Sequence, residues 1–203
     1  MSAAQRSRAR LVALLIATLA LAGVAAGALL GHGASGSAPP RATAGLQGGP
    51  APWRPELRFL PSRVAALGLP GQSDTIFHIH ALLRIYVDGR PVPVPAGIGI
   101  DPLTGFIAPL HTHDATGIIH LEADRPYPFT LGQVFTVWGV RFGAGRLGGY
   151  ADRGRRRLRV HVEGRRVADP ARYVLRAHDH VVVSFGLPGS TPTTDRTPFP
   201  PGL

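Results

Sequence analysis

The sequence predicts an α+β protein: an N-terminal transmembrane helix, then a small, mostly antiparallel β domain with one or two short helices. Three observations predict this. Residues 11–30 (LVALLIATLALAGVAAGALL) are an uncharged apolar run behind Arg6, Arg8 and Arg10. Apolar side chains occupy every odd position from 77 to 87, the period of a half-buried strand. Leu131, Val134, Phe135 and Trp138 fall at i, i+3, i+4 and i+7, the period of a helix with one buried face.

Taken in order, residues 1–10 read as a basic cytoplasmic N-terminus. At 1.5 Å per residue, a helix over residues 11–30 matches the roughly 30 Å hydrocarbon core of a bilayer. The arginines before it hold that end in the cytoplasm, so the chain is expected to be single-pass in the cell membrane with its C-terminal domain outside. Cleavage at Gly36-Ser37-Ala38 is the alternative and would leave a secreted protein. Residues 31–55 are dominated by Gly, Ala, Ser and Pro and read as a flexible linker.

The domain itself is expected over residues 56–187. A short helix fits residues 57–69, stopped by Gly68 and Pro70, and a loop over residues 71–74 leads into the strand at 77–87. Asp88-Gly89 signals a hairpin, and alternating prolines in residues 90–95 (RPVPVP) confine the returning strand to a sheet edge. Residues 96–109 read as a loop with room for a short strand at 97–100. Asp114-Ala115-Thr116-Gly117 is a run of turn formers; a four-residue loop there sets His111 opposite His120 and His113 opposite Ile118. Residues 124–129 are a proline-punctuated loop. Thr130 caps the helix over 131–138, and Gly139 ends it. Residues 143–154 read as an exposed glycine-rich loop; it lacks the Gly-Lys-Ser/Thr ending of a phosphate-binding loop, which discounts nucleotide binding. Residues 158–163, 173–175 and 180–185 close the sheet, with 165–172 connecting the first two. Residues 188–203, rich in Pro and Thr, read as a disordered tail.

Composition narrows the chemistry. A chain of 203 residues holds one ordinary domain once its ends are set aside. With no cysteine there is no disulfide, thiolate zinc site, iron-sulfur cluster or thiol nucleophile. The net charge of +10 comes from arginine alone, a bias of GC-rich coding that speaks weakly for nucleic acid, and a partner of that kind is not expected. The excess is local: ten arginines between 146 and 176 face only Asp152, Glu163 and Asp169. Arg155, Arg156 and Arg157 are candidates for contact with an anionic cell-envelope surface, against the plainer reading of a solvated loop.

The chain carries nine histidines, and five of them stand in two short windows, as His78-Ile79-His80 and His111-Thr112-His113 with His120-Leu121-Glu122 following. A residue-x-residue spacing on a strand puts both side chains on one face, about 7 Å apart. Imidazoles paired in this way on adjoining strands suit copper or zinc, bound at roughly 2.0 to 2.1 Å per nitrogen. The expected ligands are His111, His113 and His120, with His78, His80 and Glu122 as further candidates and Asp114 in support. Any one of these histidines alone reads better as a hydrogen-bonded polar residue; the reading rests on the set.

The run HIHALLRIYVDGRPVPVPAGIGI, followed by PLHTHDATGIIHLE and TLGQVFTVWGV, resembles a family of uncharacterised membrane-anchored or secreted bacterial and archaeal proteins. The resemblance covers residues 77–142 and implies a shared site without an activity to carry over. Residues 158–186 resemble the closing strands of β-grasp sulfur carriers, but a chain ending Pro-Gly-Leu lacks the terminal Gly-Gly of a carrier. Metallo-β-lactamase-like hydrolases and cupins share pieces of the histidine motif, and Asp114 and Glu122 stand at the wrong spacings for either. Three functions follow: an extracytoplasmic copper or zinc protein, a zinc-dependent hydrolase or hydratase using the same histidines, and an arginine-rich module for anionic surfaces.

Overall fold

The computed structural model describes residues 41–71 and 75–203, and all that follows concerns these. The expected transmembrane helix and residues 1–10 lie outside the described residues, as does the first part of the linker. Among the described residues no helix is long and apolar enough to cross a membrane.

The main sheet has seven strands built around β1 (Phe77–Val87). On one side β1 runs parallel to β12 (His180–Gly186), with residues 82–87 aligned to 180–185. Its other side is shared: β6 (Ile118–Ala123) pairs antiparallel with residues 77–82, and β2 (Arg90–Val92) with residues 85–87. Beyond β6 lies β5 (Leu110–His111), and beyond β12 lie β10 (Arg157–Val162) and β11 (Arg165–Arg166). The order is therefore β11-β10-β12-β1-β6-β5, with a single parallel pair. β3 (Ile100–Asp101) and β4 (Phe106–Ile107) make a separate ribbon.

The odd positions of β1 do face the core, and Ala81, Leu83 and Ile85 are each 1% exposed. They pack with Ile119, Leu121 and the apolar face of a helix, α2 (Leu131–Trp138). At its N-terminus Thr130 and Gln133 exchange side-chain-to-backbone bonds in a capping box. At its end Gly139 takes φ 84°, and a Cβ there would stand 2.5 Å from the Cβ of Glu56, so only glycine fits.

The first helix, α1 (Leu60–Leu67), contributes a fully buried cation. Arg63 donates to the carbonyls of Thr136 (2.7 Å) and Val137 (3.2 Å) in the last turn of α2, where carbonyls run short of helical donors. It also donates to the carbonyl of Ala44 (2.9 Å) and to both the carbonyl and the carboxylate of Glu56. One side chain thereby joins α1, α2 and the entering chain.

Four expectations are corrected. Residues 41–55, expected to belong to a tether, lie against the domain: Trp53 is 3% exposed, meets Trp138 edge to face at 6.0 Å and donates to the Gly49 carbonyl at 3.0 Å. Residues 143–154 are no simple loop. Phe142–Gly143, Arg146–Leu147 and Tyr150–Ala151 form a three-stranded meander, β7 to β9, whose Leu147 is fully buried and whose Gly148 sits against Trp53. Residues 173–175 are not a strand; Val174 makes one bridge to Thr130, after a 3-10 turn at Pro170–Arg172. The C-terminal tail is ordered against the even-numbered face of β1: Asp195 accepts from Arg84 Nε at 2.9 Å, and Thr197 to Pro200 line one cleft with Leu82 and Ile118. Prolines and glycines gave these segments the composition of loops, yet a few apolar residues such as Trp53 and Leu147 and single polar contacts such as Asp195 with Arg84 anchor them.

Arg63→Met keeps the bulk and removes the donors, leaving the Glu56 carboxylate with only the Phe59 amide and taking a donor from the carbonyls of Ala44, Glu56, Thr136 and Val137. Loss of about 3 kcal/mol of stability is expected, read as a lower denaturant midpoint at unchanged slope.

Candidate metal centre

The site is made by strand register. Across β1, β6 and β5, His80 is aligned with His120 and His120 with His111, so three imidazoles stand in one lateral row. One step along, His78 is aligned with Glu122. Residues aligned across neighbouring strands share a face, and the core takes the other one through Ile119, Leu121 and Leu110. His113 lies just past the end of β5 and is exposed. The expected pairing of His113 with Ile118 does not form, because β5 ends at His111.

His113 reaches the row all the same: its Nε2 lies 3.2 Å from Nε2 of His111, and its ring meets His120 edge to face at 4.5 Å. What places it is Thr112, fully buried on the opposite side of the chain. The Thr112 hydroxyl donates to the Pro95 carbonyl (2.8 Å) and accepts from the Ile98 amide (3.1 Å), tying the His-Thr-His segment to the loop before β3. The Ala108 carbonyl, 2.9 Å from His111 Nδ1, accepts its N–H and leaves the lone pair on Nε2, the nitrogen facing the cluster. Sequence reasoning missed both supports. Thr112 had a faint signal in its alternation between two histidines, whereas a backbone carbonyl has none.

The donor atoms fall into two groups, each within 4.8 Å of one another: His111, His113, His120 and Glu122 in one, and His78, His80 and His120 in the other. Ligand atoms on one ion bound at about 2.0 to 2.1 Å stand roughly 3.3 to 4.1 Å apart, so small side-chain shifts suffice. All six expected ligands are thus brought together. Oε1 of Glu122 is 3.2 Å from Nε2 of His78, 3.6 Å from Nε2 of His111 and 3.9 Å from Nδ1 of His120.

Asp114 does not join them. Its carboxylate accepts from the amide of Thr116 at 2.9 Å and from the Thr116 hydroxyl, closing the turn, and these bonds hold its pKa below the usual carboxylate value. Nor are the three arginines uniformly free: Arg156 pairs with Asp88 and lies over the Phe185 ring, and Arg157 is 3.7 Å from Asp152.

Burial and crowding set the protonation of the cluster. Desolvation pushes the His120 imidazole down to about 4, with His80, His111, His113 and His78 adding to the shift. Burial likewise lowers His80 and His111. Neutral imidazoles are ligands and protonated ones are not, so the fold keeps His80, His111 and His120 in their binding form to lower pH than free imidazoles.

No family model, curated protein or solved structure matches the chain. The reading of the site therefore rests on its geometry.

For the metal-free protein the sign follows directly. Between an unfolded value of 6.5 and a folded value of about 4, the unfolded chain takes up a proton at His120 that the folded chain refuses. Stability should fall as pH drops through this window, on the order of 2 to 3 kcal/mol for this one group, and level off below it. Denaturant titrations between pH 7 and pH 4 should show the slope in the wild type and a shallower one in His120→Asn.

Proposed function

We propose that this protein is a metal-binding domain for copper or zinc, carried on the outer face of a membrane by its N-terminal helix, where it captures or delivers the ion. One observation carries the metal reading: His111, His113, His120 and Glu122 present ligand atoms within 4.8 Å of one another, drawn from two strands and the segment between them. Neutral nitrogen donors with one carboxylate suit both ions. An ion there would also relieve the packing of so many imidazoles against one another. The absence of cysteine fits an oxidising compartment, where a site of imidazole and carboxylate stays intact. The uncharged run at residues 11–30 behind three arginines supports the anchor and its orientation. The strand order β2-β1-β12-β10-β11, with α2 on the core face, supports a β-grasp-like scaffold into which β3 to β6 bring four of the six ligands.

Purified protein incubated with Zn²⁺ or Cu²⁺ and freed of excess should retain ion by elemental analysis. His111→Ala should weaken retention roughly tenfold or more, while His161→Gln, on β10 and outside the cluster, should not. A wild type that stays metal-free with both ions would remove the proposal. The orientation has its own test, made clean by the lack of native cysteine: Arg155→Cys, on an exposed turn, should react with a membrane-impermeant maleimide in intact expressing cells. Labelling only after lysis would place the domain inside.

A further inference from the structure

We infer that the cluster is a two-ion centre in which His120 is shared, one ion held with His78 and His80 and the other with His111 and His113. This rests on the metal-binding reading above and goes beyond it in number and arrangement.

Lateral distance separates the donors. His80 and His111 flank His120 on opposite sides, on strands two positions apart, and strand spacing of about 4.8 Å puts their backbones roughly 10 Å from each other. Rings reaching inward from both sides meet His120 before they meet one another, which is why the six donors divide into two groups with His120 in both.

Hydrogen-bond arithmetic points the same way. Nδ1 of His120 lies 3.2 Å from Nε2 of His78 and 3.2 Å from Nε2 of His80. An imidazole nitrogen has one in-plane lone pair or one proton, never two of either. It can therefore make one good bond to one neighbour, and the other contact is left without a matched donor and acceptor. A cation placed among three nitrogens satisfies all three at once. The pair His111 and His113 is a separate focus, with His111 already oriented by the Ala108 carbonyl to offer Nε2.

Glu122 lies between the two foci. Its Oε1 is 3.2 Å from a nitrogen of the first group and 3.6 Å from one of the second, so one carboxylate can balance charge for both ions. To be shared, the His120 ring would offer Nδ1, which stands with His78 and His80, to one ion and Nε2 to the other, giving up its N–H proton to solvent. Each group has one exposed histidine, His78 or His113, and one buried one, His80 or His111, so each focus has a wall and an open side.

The test is stoichiometry and its dependence on three positions, using full-length protein with Zn²⁺ and Cu²⁺ separately. Saturation at two ions per chain is expected, read by elemental analysis and by competition against a chelator. The exposed-side variant His78→Ala should remove or weaken one binding step and spare the other, and His113→Ala should do the reverse. His120→Ala should weaken both by roughly tenfold or more, with circular dichroism confirming that it folds; His120→Gln serves in its place if it does not. Saturation at one ion overturns the two-ion centre and leaves the metal-binding reading standing, whereas retention of none overturns both. Two ions of which His120→Ala affects only one would overturn the sharing.

Discussion

The site depends on the alignment of β6 between β1 and β5. Because the pleat alternates faces, that alignment fixes two things together: Ile119 and Leu121 go into the core, and His120 and Glu122 go to the other side beside His78, His80 and His111. A slip of one residue would bury imidazoles against α2 and expose leucine. The apolar core is thus what holds the polar cluster in register, and the cluster costs the core nothing because it occupies the face the core leaves free.

That face is not simply open to water. Leu82, Ile118 and Ser184 are buried on or beside it, and the tail from Asp195 to Pro200 lies across part of it through Arg84 and the cleft at Leu82. The tail and the turn at 113–116 meet there, Thr116 lining the same cleft as Thr197 to Pro200 and accepting from Arg84, so that side of the cluster borders ordered chain. Partial enclosure explains the lowered pKa values: water that would stabilise an imidazolium is partly displaced, and neighbouring rings would add like charge. An ion there would meet neutral nitrogens, with His111 already turned to offer Nε2.

Away from the cluster, the domain is held by a second polar device of opposite character. Arg63 is a buried charge with every direction answered, by Glu56 and by carbonyls of Ala44, Thr136 and Val137. Its role is to stop α2 and bind residues 44–56 to the helices, which explains how a segment so poor in apolar residues is nonetheless folded. In the sequence Arg63 was one arginine among many, with nothing to separate it from the solvated ones.

Local pattern alone determined β1, the Thr130-capped helix α2, the edge character of β2 and the alignment of His111 with His120, because each depends on neighbours within one turn or one hairpin. It also supplied the ligand candidates, since a His-x-His spacing on a strand has only one geometric meaning. Only the tertiary structure decided that β1 joins the hairpin at β6 and so brings His78 and His80 to His120, that Asp114 turns to Thr116 instead, and that residues 41–55, 142–151 and 188–203 pack against the domain. Those outcomes rest on pairings between residues tens of positions apart. Their energies come from a few buried side chains such as Trp53, Arg63 and Leu147, and a local reading sees only the glycines and prolines around them.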